Sequence, residues 1–526
     1  MKKIFSLFAA SLYAISPFFA QAPAIEWQNT IGGTGSDILN SLQQTADGGY
    51  ILGGNSSSDI SDDKTENSLG GRDYWVLKLD AAGAAQWQNT IAGDNTDGLN
   101  SLQQTADGGY ILGGTSRSNI SDDKTENGWG GDDFWVLKLD ATGAIQWQRT
   151  IGGSLTDNLR SLQQTADGGY ILGGSSSSDT SGNKIENSLG TDYWVLKLDA
   201  AGTIQWQNTI GGSGIDALNS LQQTADGGYI LGGTSSSNIS GDKTENNVGV
   251  NDYWVVKLDD TGAIQWQKTI GGSGGDNLRS VKQTADGGYI LGGESSSNTS
   301  GDKTENSWGN EDYWVVKLDA TGAIQWQNTI GGSGGDFLYS LQQTTDGGYI
   351  LGGSSWSNIS GDKTENSVGG WDYWILKLNA TGVIQWQNSI GGSDDDELYS
   401  LQQTDDKSYI LGGGSASNIS GDKAENCWGG LLYDYWVVKL APETVPTGEA
   451  PIAPTGITFY PNPAADAVFV QTDTETTLSL FDAFGQSLLT QTIRGNGKID
   501  LSSLPNGIYF LVEMESGRGH KVLKNE

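Results

Sequence analysis

Apolar and polar positions along this chain fall into short runs that come back in the same order. One of them, YWILKL from Tyr373 to Leu378, sets Trp374, Leu376 and Leu378 on one face and Tyr373, Ile375 and Lys377 on the other. That is the period of two expected of a strand. Three more runs share its unit: LYSLQQT (Leu338 to Thr344), YILGG (Tyr349 to Gly353) and IQWQNSI (Ile384 to Ile390). The first two flank Asp346-Gly347-Gly348, a tight hairpin turn that needs positive φ. A loop of 18 residues, SSWSNISGDKTENSVGGW, leads to the third, and Asn379-Ala380-Thr381-Gly382 turns into the fourth. Each unit thus predicts a four-stranded antiparallel meander.

The unit occurs seven times. Its Trp-Gln marker stands at Trp27, Trp87, Trp147, Trp206, Trp266, Trp326 and Trp386, a spacing of 60 with one of 59. Repeats of this length made of strands predict an all-β fold, a seven-bladed β-propeller of four-stranded antiparallel blades over residues 23–441. The array opens with a lone outer strand, Ile25 to Ile31, and closes with a lone third strand, Tyr435 to Leu440. These two are partners in every interior unit, so pairing them closes the ring and leaves no bare edge. The order YILGG, long loop, DYWVLKLD, GxIQW resembles a kelch-type blade, which implies LxSLQQT as innermost strand and IQWQNTI as outermost. The wording DYWVVKLD, IQWQ and DGGYILGG is also similar to repeats of secreted Bacteroidetes proteins. Up-and-down topology sends the DGG and DATG turns to one face. The long SNISGDKTEN loops and the IGGSGGD connections go to the other, where most scope for recognition lies.

Composition narrows the partners. A formal charge of −34 and a pI near 4.1 argue against nucleic acid and anionic membranes. Residues 1–22 read as a secretory signal, with Lys2 and Lys3 ahead of an apolar stretch that ends in Ala20-Gln21-Ala22. No other stretch is apolar for long enough to span a bilayer. Cys427 is the single cysteine, so no disulfide framework is expected.

Candidate chemistry divides into what repeats and what does not. One Asp follows each marker Trp by ten residues or so: Asp37, Asp97, Asp157, Asp216, Asp276, Asp336 and Asp396. Asp after a Gly-rich stretch closes turns onto backbone N–H groups. A ring of seven carboxylates is also a candidate Ca²⁺ site, although the accompanying Asp362-Lys363-Thr364-Glu365 lacks the alternating ligand spacing of a calcium loop. No other cofactor is indicated. The only His, His520, falls outside the array, which leaves the propeller without an imidazole base, and Cys427 has no His partner. Acids abound for a carboxylate-pair glycosidase, but no pair is unique to one blade. The positions that vary are more suggestive. The sixth unit carries Phe337, Tyr339, Trp356 and Trp371, and the seventh Tyr399 and Trp428 with a two-residue insertion before Asp434. Aromatic rings beside polar groups grip sugars and peptide loops. The bland alternative is that they plug the long loops.

After Leu440 the composition changes: 442–455 is a Pro-rich linker, and 456–526 holds short strands. Tyr460-Pro461-Asn462-Pro463, the Leu480 to Gly485 run LFDAFG, Leu504-Pro505-Asn506-Gly507-Ile508-Tyr509 and the basic Lys521 and Lys524 carry a resemblance. Together they resemble the type A C-terminal sorting domain of the Bacteroidetes type IX secretion system. The resemblance implies a small β-sandwich read by outer-membrane secretion machinery, and a product that is secreted or attached to the cell surface. The function expected is therefore an exported, non-enzymatic propeller that binds a glycan or protein ligand. A carboxylate-dependent glycan hydrolase or lyase and a structural surface protein are the alternatives.

Overall fold

The computed structural model describes residues 21–443 other than Leu431, and residues 457–525 other than 461–463, 483–486 and 514–518. Residues 1–20 of the expected signal segment 1–22, and most of the linker, lie outside them. Among the described residues no helix is long and apolar enough to cross a membrane.

Residues 21–443 form seven four-stranded antiparallel sheets. In the first, Asp37–Gln44 is innermost, followed by Tyr50–Ser56, Asp73–Leu79 and Ala85–Ile91. Five more sheets repeat this order. The seventh takes its outer strand from the start of the array. Ile25–Ile31 pairs Asp434–Leu440 from Ile25 opposite Leu440 to Ile31 opposite Tyr435. Trp436 Nε1 donates to Gln28 Oε1 at 3.1 Å, Thr30 N donates to Glu425 Oε2 at 2.6 Å, and Lys423 donates to the Thr30 hydroxyl. The propeller is closed by its own first strand.

The third strand explains the seam between blades. Its alternation puts Trp75, Leu77 and Leu79 into a cluster with Ile410, Tyr435 and Val437 of the seventh blade. Tyr74 and Val76, on the other face, join Leu99, Leu102 and Trp135 of the second. All of these are at most 6 % exposed. The ring is thus held by apolar layers between successive blades. A tyrosine hydroxyl crosses most seams to the next blade's tryptophan carbonyl, as in Tyr74 to Trp135 at 3.1 Å, and Tyr435 to Trp75 at 3.0 Å closes the circle. The marker tryptophans of the outer strands are less enclosed than core residues. Trp27 is half-buried, edge-on to Tyr50 at 5.7 Å, and only Trp386 of the series is fully buried, at 1 % exposure.

Two glycines per unit leave no room for a Cβ. One on Gly53 would overlap the Leu102 side chain of the next blade, and one on Gly54 would overlap the Ile38 carbonyl of its own blade. The DGG turn has its middle glycine at positive φ, Gly347 at 84°, and Lys407 takes the same place in the seventh unit at 66°.

Residues 457–525 form a separate five-stranded sheet of Ile457–Tyr460, Ala467–Phe481, Ser487–Asp500, Gly507–Glu513 and Gly519–Lys524. Ala467–Phe481 pairs with three neighbours, and its register shifts between Thr472 and Thr476. Val468, Val470, Leu478 and Leu480 alternate inward on either side of that shift, onto Ile493, Ile499 and Leu511. One sheet thus wraps a core of its own.

Candidate functional site

In every blade the innermost strand carries a bulge at the same place. The register jumps between Leu39 and Ser41 in the first blade, between Leu338 and Ser340 in the sixth, and at the matching residues elsewhere. A bulge re-aims the extra side chain. Here the extra residue sits toward the loop face of the strand that lines the axial channel. Asn occupies it in three blades and ties them to the next: Asn40 donates to Leu99 O, Asn100 to Leu159 O and Asn219 to Leu278 O, each at 2.7 Å. The other four blades put Arg160, Arg279, Tyr339 and Tyr399 there. The mouth of the channel is therefore chemically asymmetric although the backbone is not.

Around Arg279, Tyr339 and Tyr399 a polar cluster forms on the fifth to seventh blades. The Arg279 guanidinium forks onto Glu294, at 2.6 Å from Nη2 to Oε1, and stands 5.8 Å over the Tyr339 ring. Glu294 is 1 % exposed, and burial raises its pKa against the opposing pull of Arg279. Tyr339 and Tyr399 pack at 5.2 Å. Burial pushes the Tyr339 hydroxyl up to about 12. Tyr399 donates to Glu397 Oε2, and Tyr433 donates to Glu397 Oε1 at 2.9 Å. Burial and the Glu397 charge raise both hydroxyls further still. Tyr433 comes from the seventh-unit insertion and fills the room left by Gly414, whose Cβ would meet the ring at 2.9 Å.

Of the five predicted aromatic residues, Tyr339 and Tyr399 thus line the channel mouth, and the other three make an adjoining surface. Trp356 and Trp371 stack at 5.6 Å and 17°, and Phe337 meets Trp371 edge-on at 5.2 Å. The three rings converge on Gly335, and Trp356 is 50 % exposed. Trp428 stands apart. It donates to Asp63 Oδ2 at 3.1 Å, across the ring closure, and so serves as a loop contact.

Sequence reasoning passed over Arg160, Arg279, Lys282, Glu294, Glu397 and Tyr433. Unit-by-unit comparison carries the signal for several: Lys282 stands where the other six units have Gln, and Glu294 where they have small or amide residues.

The seven aspartates open the inner strands, and their side chains close the Gly-rich turns just before them. Asp37 Oδ2 accepts from Gly33 N and from Ser58 Oγ, both at 2.8 Å, and Asp97, Asp157, Asp216, Asp276, Asp336 and Asp396 repeat this. All are 0 % exposed, and burial raises Asp37 and, to about 6, Asp396. Among the described residues no group of three or more His, Cys, Asp or Glu is arranged to hold a metal ion. Cys427 is buried with its thiol on Ser415 O at 2.9 Å, and burial pushes its pKa to about 11.

In the C-terminal unit Lys524 is 7 % exposed, with Nζ 2.8 Å from Leu501 O and 2.5 Å from Leu504 O. It fastens a turn. Gly507 opens a strand, where a Cβ would meet the Tyr509 ring at 4.0 Å. Pro461, Asn462, Pro463, Gly485 and the Lys521 side chain lie outside the described residues.

Comparison with known proteins bears mainly on this unit. Residues 458–525 match the family of secretion system C-terminal sorting domains. The chain is 25% identical over 417 residues to "Regulatory protein FlaEY" of Caulobacter vibrioides, covering 70% of this chain and 41% of that protein. It thus spans about two-fifths of that relative's length. Among solved structures, a protein of unknown function from Dyadobacter fermentans is 12% identical at a TM-score of 0.41, covering 80% of this chain and 99% of that one. The Pan2 WD40 domain of Neurospora crassa is 12% identical at 0.40, covering 78% and 95%. The chain is an exported propeller protein by its sheet topology and its sorting domain.

Proposed function

We propose that the propeller is a non-enzymatic binding module that takes a glycan on the loop face of its sixth and seventh blades. The observation that carries this is the Trp356–Trp371 pair. Two near-parallel indoles, one of them half exposed, offer a flat apolar platform of the kind that stacks on a sugar ring. The neighbouring hydroxyls of Tyr399 and Tyr433 and the Glu397 carboxylate supply polar partners. The platform is dispensable for folding, because other blades fill the same two positions differently. Arg117 and Asp132 form an ion pair there, and Ser177 and Thr191 share a hydrogen bond. Each of these blades keeps the same four-stranded sheet around its own pair.

The test is a glycan array probed with full-length protein and with Trp356→Ser and Trp371→Gly. We expect each variant to keep its stability within about 0.5 kcal/mol and to lose about 2 kcal/mol or more of binding, as hot-spot residues do. Destabilised variants that bind as well as the parent would show that the rings only pack the loops. Binding to a protein and to no glycan, lost in the same variants, would move the reading to a protein ligand.

A further inference from the structure

Below the mouth the seven inner strands enclose an axial cavity of about 540 Å³, walled by Ser, Leu and Gln from five blades, by Leu221 and Gln222 of the fourth, and by Lys282 and Gln283 of the fifth. The Gln side chains are held in one orientation. Gln43, Gln103, Gln163, Gln222, Gln342 and Gln402 each accept, through Oε1, the backbone N–H of the next blade's following Gln at 2.7 to 2.9 Å. A backbone N–H can be satisfied only by the oxygen of a carboxamide, so the nitrogen end of each is fixed as the free end. None of these six amide nitrogens donates to a protein atom among the described residues. The cavity is therefore ringed by N–H donors whose acceptors are already used.

Lys282 completes the ring and breaks its pattern. A lysine cannot accept, so Gln343 N loses the hydrogen bond its six counterparts have. The chain forgoes a seam contact to place a cation in the cavity. Lys282 has no carboxylate partner and no hydrogen bond among the described residues, and burial lowers its pKa. A second cation without a carboxylate partner among the described residues, Arg160, stands exposed at the loop-side mouth, where it replaces an Asn that would bridge two blades. Arg279 is the third, already engaged by Glu294. Glu397, the other acid there, is held by two tyrosine hydroxyls. Lys282 is half-buried and Arg160 exposed, so both remain open to solvent, and in a chain of net charge −34 they give this cavity a local excess of uncompensated positive charge.

We propose that the axial cavity binds a small oxyanion, a carboxylate or phosphate, on the Lys282 ammonium and the surrounding Gln amides, with Arg160 guiding its approach. This site is separate from the indole platform, and the two stand or fall independently. The test is calorimetric titration of the full chain with citrate and with inorganic phosphate at low ionic strength, repeated on Lys282→Gln and Trp356→Ser. Lys282→Gln installs the residue that six blades already tolerate, so the ring should fold and regain the Gln343 hydrogen bond. We expect that variant to bind at least tenfold more weakly and to melt no lower than the parent without anion, while Trp356→Ser binds as the parent does. Citrate alone giving heat identifies a carboxylate ligand, and phosphate alone a phosphate one. No binding of either by the parent, or equal binding by Lys282→Gln, overturns the proposal.

Discussion

At the residue scale the repeat supplies its own mutational series, because each blade is a variant of the others in nearly the same surroundings. Phe134 is the one aromatic of its series without a hydroxyl. It packs on Trp194 at 5.0 Å as Tyr74 packs on Trp135, yet donates nothing to the Trp194 carbonyl. Phe134→Tyr should therefore add a buried seam hydrogen bond and stabilise the propeller by about 1 kcal/mol. Chemical denaturation would show it as a higher midpoint at unchanged slope, and a lower midpoint would mean that the seam has no room for the oxygen. A second expectation concerns pH. Burial raises Asp73, Asp133, Asp192, Asp252 and Asp312 to about 6, and Asp372 and Asp434 to about 7, with a loop N–H opposing in each case. A carboxyl with a folded-state pKa above its unfolded value binds more protons when folded. Its contribution is fully present below about 4 and is lost as pH rises through 6 to 7. Carboxylates such as Asp47 and Asp286, held at about 2 by a hydroxyl and a lysine against the effect of burial, act oppositely but only below about 4. The melting temperature should thus rise from pH 8 to pH 5, the reverse of ordinary acid sensitivity. A flat or falling profile over that window would show these carboxyls ionised throughout.

At the element scale the strands were legible because both faces of the third strand and the turn glycines obey simple periods. The third strand was expected to alternate, and it does, each face serving a different seam. The aromatic surface proposed to bind was only partly legible. Trp356 and Trp371 are 15 residues apart in sequence, and nothing in their spacing says that they stack. The bulge beneath Tyr339 and Tyr399 has no local sequence mark, since Asn, Arg and Tyr all occupy it. What it does physically is turn a variable residue toward the channel while the flanking Leu338 and Ser340 keep the ladder. Closure is the strongest element-level expectation. Removing Ile25–Ile31 strips the Asp434–Leu440 edge of its ladder and removes the acceptor of Trp436 and one of the two acceptors of Lys423. The loss should exceed the ~1–3 kcal/mol of a typical core substitution and appear as aggregation in sedimentation. A soluble monomer melting like the parent would mean that the ring does not depend on its first strand.

At the scale of the whole molecule, folding and address are separable. Every apolar cluster of the propeller is built from residues before Pro442, and the C-terminal cluster takes none of them. The propeller closes on itself through residues near both ends of its own array, so it needs no later segment to cover an edge. The sorting domain matched at 458–525 has its own core around Val468, Leu480 and Leu511. Ending the chain after Glu443 should accordingly leave the melting temperature of the propeller within about 1 °C, since its apolar clusters lie wholly within that unit and a shift of that size is about 1 kcal/mol for a domain this large. The same truncation should stop export, with the protein retained inside a host that carries the matching secretion system. Fractionation and thermal melting of the two forms read the two effects separately. A truncated form that still reaches the medium would show that residues 444–526 are not the address. A truncated form that unfolds would show instead that the propeller borrows stability from them, although none of its seven seams uses a residue beyond Leu440.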